Sequence, residues 1–380
     1  MNKLKKINYF TVGMAIFAMF FGAGNIIFPL ALGQIALDKT PWGLSGLLLT
    51  AVAMPFAGLL AMFRHGGQVR LFFNRLGKVP GLIVASLIIS LLGPFGAAPR
   101  CIALAHSTLL LSLPGIPLIL FSASACLLIF LFVYRENRIL KLLGYFLSPL
   151  KIIFLILIII KGFIEAPEAT LISEDPSKIS HFWHGLTEGY NTMDLLAAFF
   201  FAPIVVSSLG NREKGRDLNH FVLIASAIGA FLLAVVYIGF CYLAYFYAPQ
   251  LEGVSNDQLL GAIALKILGP YAGLIVGLTV TFACLTTAIA LIAAFTSFMH
   301  KEVLKIGHFP ILLTSLVTTF GITILEFQGI ARFLNPILEI CYPALILLTI
   351  YNLFMPIRSD NGEPLETFSD KENPKNVIVR

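Results

Sequence analysis

The stretch FGAGNIIFP, residues 21–29, lies in the middle of a run of 31 uncharged residues from Ile7 to Leu37. A straight helix of that length would be about 46 Å long, whereas the hydrocarbon core of a bilayer is about 30 Å thick. Glycine disfavours a helix interior, and Pro29 lacks an N–H and clashes with the carbonyl of Asn25. The stretch therefore predicts a membrane helix that is broken near its middle.

The composition of the whole chain is that of a membrane protein. Of its 380 residues 58% are hydrophobic and 12% are charged, and the mean hydropathy is +0.89. Soluble globular proteins carry about 25% charged residues. Long uncharged runs recur, and we predict an all-α polytopic membrane protein with ten transmembrane helices, at about 8–36, 42–63, 80–110, 116–134, 140–162, 183–209, 218–248, 270–298, 308–326 and 330–354.

The charge distribution predicts the orientation. Of the 26 Lys and Arg residues, 19 lie in segments that ten spans place on one side of the membrane with both termini, and 4 lie on the other. By the positive-inside rule, both termini are cytoplasmic. The net charge of +6 is spread in short clusters between apolar runs, so it does not indicate nucleic acid as a partner. We expect one multi-pass domain over 1–356, a polar cytoplasmic tail over 357–380, and no cleaved signal peptide.

A second break is predicted in the sixth span, where GYNTMDLLAAFFFAP (189–203) combines Gly, Asn, Pro and the acidic Asp194. The two broken spans open two halves of five spans each, about 8–162 and 183–354, which must then have opposite orientations. Broken helices at corresponding positions of two halves are typical of secondary transporters. Their free N–H groups suit a carboxylate and their free carbonyls suit a small cation. A kink that only lets helices pack closely is the alternative.

A third segment, FACLTTAIAL (282–291), places Thr286 and Thr287 one turn after Ala283. Hydroxyl and carbonyl oxygens together form an uncharged cage that fits Na⁺ better than a divalent ion. The alternative is that both hydroxyls only bond to their own helix.

These segments carry a resemblance to a known family. FGAGNIIFP, LGPFGAAPR (92–100), LSPLKII (147–153), GYNTMD (189–194) and FACLTTA (282–288) resemble, in order and spacing, segments of the bacterial branched-chain amino acid:cation symporters. The resemblance implies a multi-pass protein of the bacterial inner membrane, with the five-plus-five inverted-repeat fold of sodium-coupled amino acid transporters. It also implies about twelve spans, two more than are predicted here.

The resemblance also implies a site. Gly22, Ala23, Gly24 and Asn25 would receive the charged ends of the substrate, facing Tyr190, Asn191, Thr192 and Asp194. Na⁺ would lie between Ala18, Phe21, Ala283, Thr286 and Thr287. The expected function is uptake of L-leucine, L-isoleucine and L-valine by symport with Na⁺, with no cofactor and no enzymatic activity.

Several alternatives stay open at this point. Coupling to protons through Asp194 or Glu188 would preserve the fold, whereas a channel or an intramembrane enzyme would be a different class of protein. Asp194 could also act only as a helix cap. Arg100 could form an ion pair, line a gate or extend to the membrane surface. Lys151 could replace a cation, extend to the membrane surface or pair locally.

Overall fold

The computed structural model describes residues 9–134, 139–168, 171–209 and 216–355, without the side chains of 139–151, 207–219 and 270–272. The predicted tail and the basic residues Arg135, Arg138, Arg212 and Lys214 lie outside these ranges. The helices are α1 Tyr9–Phe20, α2 Gly24–Ala36, α3 Thr40–Leu48, α4 Met54–Arg64, α5 Val69–Phe73, α6 Lys78–Leu92, α7 Ala97–Leu110, α8 Leu118–Tyr134, α9 Ile139–Ile164, α10 Lys178–Asn191, α11 Asp194–Leu209, α12 Arg216–Tyr247, α13 Leu259–Phe298, α14 His308–Thr323 and α15 Glu326–Phe354.

The described chain is helical and apolar enough to be a polytopic membrane protein, as predicted. Six helical segments are long and apolar enough to cross a bilayer, and shorter apolar helices accompany them. The fold class is therefore confirmed. The number of crossings and the inverted repeat stay predictions.

The first predicted break is present between α1 and α2. The helical hydrogen bonds stop at Phe21, whose N–H donates to the Phe17 carbonyl at 2.9 Å. They resume at Ile26, whose N–H donates to the Ala23 carbonyl at 3.2 Å. Pro29 lies inside α2, where its ring removes one more helical bond from the turn after the break.

The second predicted break is present between α10 and α11. Two residues, Thr192 and Met193, separate the helices. Met193 has a φ of +63°, in the left-handed region that residues other than glycine rarely adopt. The surrounding packing must hold this conformation, and such strained positions are frequent at binding sites.

Small residues let the helices around the breaks pack closely. A Cβ added to Gly185 of α10 would overlap the backbone carbonyl of Gly43 in α3. Lipid tails are as apolar as the helices, so the hydrophobic effect does not drive helices together within a membrane. Small residues allow the close van der Waals packing that does. Further close pairs are α13 with α7, α12 with α1 and α2, and α11 with α4. Most residues around the two breaks, at 20–33 and 189–202, are accordingly buried.

The predicted eighth span, at about 270–298, is preceded in the structure by a further helical piece of α13. The helix of α13 already begins at Leu259, which is buried together with Leu260 and Ile263. Non-helical backbone at Gly269, with a φ of +77°, then turns the chain into the predicted eighth span. Apolar residues at 259, 260 and 263 give this short piece a face that it buries against the bundle.

Candidate functional site

A cavity lies between the two breaks. Its wall also takes residues from the end of α6, the start of α7 and the middle of α13. The lining residues are Met19, Phe20, Gly22, Ala23, Gly24, Asn25, Leu92, Ala97, Arg100, Cys101, Asn191, Thr192, Met193, Asp194, Ala197, Phe201, Thr287 and Leu291. The predicted spans 1, 3, 6 and 8 therefore meet at one cavity.

A buried polar cluster joins the two breaks. The side-chain amide of Asn25 donates to Asp194 Oδ2 at 2.6 Å, and the Tyr237 hydroxyl donates to the same oxygen at 2.9 Å. The Asn25 amide also lies within hydrogen-bond distance of the Tyr237 hydroxyl. All three side chains are almost fully buried. In the described part of the chain, no Lys, Arg or His nitrogen forms an ion pair with the Asp194 carboxylate.

The first break presents N–H donors to the cavity. The first N–H groups of a helix have no acceptor within it, and α2 has no side-chain cap. The Gly22 N–H donates to Asn25 Oδ1 at 2.8 Å, so Asn25 orders the unwound turn as well as the contact with Asp194. Because the positive end of the α2 dipole lies here, this end of the cavity favours an anionic group.

The second break presents carbonyl oxygens and one guanidinium. The N–H groups of Thr192 and Met193 close the end of α10 by donating to Gly189 and Tyr190. The Asn191 carbonyl accepts instead from Arg100 Nη1 at 2.9 Å. The cationic side chain thus lies at the negative end of the α10 dipole.

The predicted sodium ligands divide into two groups. Thr287 reaches the cavity, and its methyl group lies 3.5 Å from where a Cβ of Gly22 would be. The hydroxyls of Thr286 and Thr287 both donate to the Ala283 carbonyl, at 2.8 and 3.0 Å. Their oxygens keep lone pairs that can still accept or bind a cation. Ala18, Phe21, Ala283 and Thr286 are not in the cavity wall.

Most of the predicted substrate residues lie in the wall, and one does not. Tyr190 is not among the lining residues; its ring stacks on Tyr342 of α15, with ring centroids 4.6 Å apart. Asp194 bonds to Asn25 and Tyr237 across the bundle, so it does more than cap its own helix. Sequence reasoning missed Tyr237, because one tyrosine in the apolar run FLLAVVYIGF (231–240) reads as an ordinary core residue.

The structure decides between the interpretations of Arg100 but not between those of Lys151. Arg100 is only 2% exposed, so it does not extend to the membrane surface, and no ion pair holds it among the described residues. Lys151 has its side chain outside the described part of the structure.

Comparison with known proteins gives a family. Residues 5–363 match the profile of a family described as branched-chain amino acid transport protein. The chain is 32% identical over 371 residues to the branched-chain amino acid permease BrnQ of Bacillus subtilis, covering 92% of this chain and 81% of that protein. It is 26% identical to the branched-chain amino acid transport system 2 carrier protein of Pseudomonas aeruginosa, covering 93% of this chain and 82% of that protein. These relatives are transporters, not enzymes.

Solved structures share the fold at low identity. A Na⁺-coupled sialic acid symporter superposes with a TM-score of 0.60 at 13% identity, covering 92% of this chain and 80% of its own. A nucleobase-cation-symport-1 family transporter superposes with a TM-score of 0.59 at 15% identity, covering 92% of this chain and 77% of its own. The architecture of this chain is therefore that of these transporters.

Proposed function

Because the chain belongs to the branched-chain amino acid transport protein family, we propose that it takes up L-leucine, L-isoleucine and L-valine by symport with Na⁺. The observation that carries the proposal is the meeting of two broken helices at one cavity with opposite charges in its wall. Asp194 supplies the acid, and Arg100 and the start of α2 supply the positive end. A zwitterion matches such a site better than a simple ion does.

The substrate's ammonium group is expected at the acidic side of the cavity. The Asp194 carboxylate is the acceptor there, and Thr192 lies beside it in the wall. Since a buried charge needs a partner, the ammonium and the carboxylate of Asp194 would compensate each other.

The apolar part of the wall suits a branched side chain. Leu92, Cys101, Ala197, Phe201 and Leu291 line it. Burying such a side chain stabilises the complex by about 1.5–3 kcal/mol. One methylene changes binding by only about 1–3 kcal/mol, so leucine, isoleucine and valine should share the site.

Sodium coupling is proposed through Thr286 and Thr287. Their hydroxyl oxygens and the Ala283 carbonyl are uncharged oxygen donors of the kind that a monovalent cation takes. Thr287 lies against the first break at Gly22. A cation there would tie α13 to the unwound turn, so that ion and substrate stabilise the same arrangement of helices.

Proton coupling is a second candidate, and a specific observation favours it. Asp194 is a buried carboxylate without an ion-pair partner among the described residues, and Tyr237 and Asn25 donate to it. A carboxylate in such a position can carry a proton across the membrane. In that case Asp194→Asn would abolish gradient-driven uptake and leave leucine exchange intact.

The test is labelled leucine uptake into proteoliposomes, first with a sodium gradient at equal pH on both sides and then with a pH gradient in the absence of sodium. The proposal expects uptake that requires an inward sodium gradient and that disappears when potassium replaces sodium. Uptake driven by a pH gradient without sodium would transfer the coupling to Asp194. Absence of leucine uptake under either gradient would contradict the substrate.

A further inference from the structure

Arg100 has more hydrogen-bond donors than the described structure uses. It lies in the first turn of α7, in the cavity wall, and is 2% exposed. Nη1 donates to the Asn191 carbonyl at 2.9 Å. Nε and Nη2 are buried and have no acceptor in the described part of the chain. Since a guanidinium carries five N–H groups, most of its binding capacity is unused.

The surroundings of Arg100 also lack a counter-charge. Its guanidinium lies 5.4 Å from the ring centre of Phe28 and 5.6 Å from that of Phe327. Within the described residues, no carboxylate is within the 4.0 Å of an ion pair, and Glu188 attracts the group only from farther away. Aromatic faces stabilise a cation only in part, so a buried guanidinium in this position favours an anion.

An end-of-helix role explains only part of this arrangement. A cation that merely closes the end of α10 needs one bond to a free carbonyl, and Nη1 makes it. It does not need two further buried N–H groups that have no acceptor among the described residues. Leaving such donors unpaired is unfavourable, and the free donors indicate a ligand that enters the cavity.

From this geometry we infer that Arg100 binds the carboxylate of the transported amino acid through Nε and Nη2. The inference rests on the proposed function and deepens it. A guanidinium presents parallel N–H groups that match the two oxygens of a carboxylate, which an ammonium does not. With Asp194 on the same cavity, the site has a cation for the carboxylate and an acid for the ammonium.

The inference makes Arg100 a specificity-determining residue. A leucine analogue whose carboxylate is replaced by a hydroxymethyl group, leucinol, keeps the ammonium and the side chain but offers the guanidinium no anion. The wild-type protein should therefore bind leucine about tenfold or more tighter than leucinol.

The experiment titrates leucine and leucinol into the purified full-length protein and measures the rise in melting temperature. In Arg100→Lys, which keeps the charge but loses the fork, leucine affinity should fall until it is within about threefold of leucinol affinity. Leucinol affinity itself should hardly change. Arg100→Gln, which loses both the charge and the fork, should also bring leucine affinity close to leucinol affinity and serves as the second variant.

Glu188→Gln is the matched control. It removes the acid that attracts Arg100 from farther away and should keep the wild-type preference for leucine. Equal losses of leucine and leucinol affinity in Arg100→Lys would assign Arg100 a structural role and overturn the inference, as would an unchanged ratio. A collapsed ratio in Glu188→Gln would overturn it too, since an ion pair would then govern the site. If the wild-type protein does not bind leucine at all, it is the proposed substrate that fails.

Discussion

The side-chain amide of Asn25 donates a 2.6 Å hydrogen bond to the carboxylate of Asp194, across 169 residues of the chain. Asn25 lies in the first turn of the helix after the first break, and Asp194 begins the helix after the second. The Tyr237 hydroxyl donates to the same carboxylate oxygen at 2.9 Å. Because the cluster is buried, removing one partner leaves another polar group unsatisfied. The two breaks therefore behave as one polar unit.

Gly24→Ala should reduce leucine transport strongly. A Cβ at this position would lie 3.0 Å from the Cα of Thr192 and 3.1 Å from its carbonyl oxygen. These are backbone atoms of the second break, so the two breaks would have to move apart. Initial uptake rates, normalised to the amount of protein in the membrane, would measure the effect.

The control for this change is Gly321→Ala in α14. A Cβ there has no atom within 4 Å, and alanine favours a helix more than glycine by about 1 kcal/mol. Transport should therefore stay normal. Normal transport by Gly24→Ala as well would show that close contact of the breaks is not required.

Tyr237→Phe should destabilise the protein and weaken transport. It removes the hydroxyl that donates to Asp194 while keeping the ring in the core. A hydrogen bond to a charged group is worth about 1.5–3 kcal/mol. The melting temperature of the purified protein and the leucine uptake rate are the two measurements.

Tyr247→Phe, in the same helix, is the matched control for Tyr237→Phe. Its hydroxyl donates to the carbonyls of Gly162 and Glu165, at 3.3 and 3.2 Å, far from the cavity. It should lower the melting temperature less and leave uptake unaffected. Equal uptake by both variants would remove the Tyr237 hydroxyl from the working site.

Thr287→Val should weaken sodium activation and spare leucine affinity at saturating sodium. Valine keeps the shape of threonine but lacks the oxygen that the proposed cation would bind. We expect the sodium concentration for half-maximal uptake to rise about tenfold, as for loss of one interaction of about 1.4 kcal/mol.

Thr296→Val tests whether Thr287→Val acts through the cation. Thr296 lies in the same helix and donates to its own backbone at Ile292, as Thr287 does at Ala283. Loss of the Thr296 hydroxyl should leave the sodium dependence of uptake unchanged. If both variants keep the wild-type sodium dependence, the two hydroxyls serve only the helix, as the alternative interpretation of this segment holds.

Acidification should destabilise the protein through His65, which follows α4 outside the membrane-spanning segments. Burial lowers the pKa of His65 below its usual 6.5, and Arg75 and Arg64 lower it further, against a bond to the Ala61 carbonyl that raises it. The unfolded chain then binds a proton more readily than the folded one. Stability is therefore complete above about pH 6.5 and falls as the pH drops below it.

Melting temperatures between about pH 7.5 and pH 5.5 test this prediction. The wild-type curve should fall more steeply than that of His65→Gln. His300→Gln, at an exposed position, is the control and should follow the wild type. Parallel curves for all three proteins would mean that another group governs the acid sensitivity.

The sequence alone predicted the membrane fold and both helix breaks. These features depend on local chemistry, because apolar runs must be buried in lipid and Gly22, Gly24, Pro29 and Asp194 act on the backbone within a few residues. The family motifs also predicted site residues in spans 1, 6 and 8. Most of the substrate residues named from sequence lie in the cavity wall.

Only the tertiary structure decided which groups meet there. It brings Tyr237 to Asp194, stacks Tyr190 on Tyr342, and places Arg100 on the Asn191 carbonyl. Hydrophobic periodicity shows which face of a helix is buried but not which residue of a distant helix it contacts. A buried arginine or tyrosine finds its partner through the packing of helices far apart in the chain, and no local pattern encodes that choice.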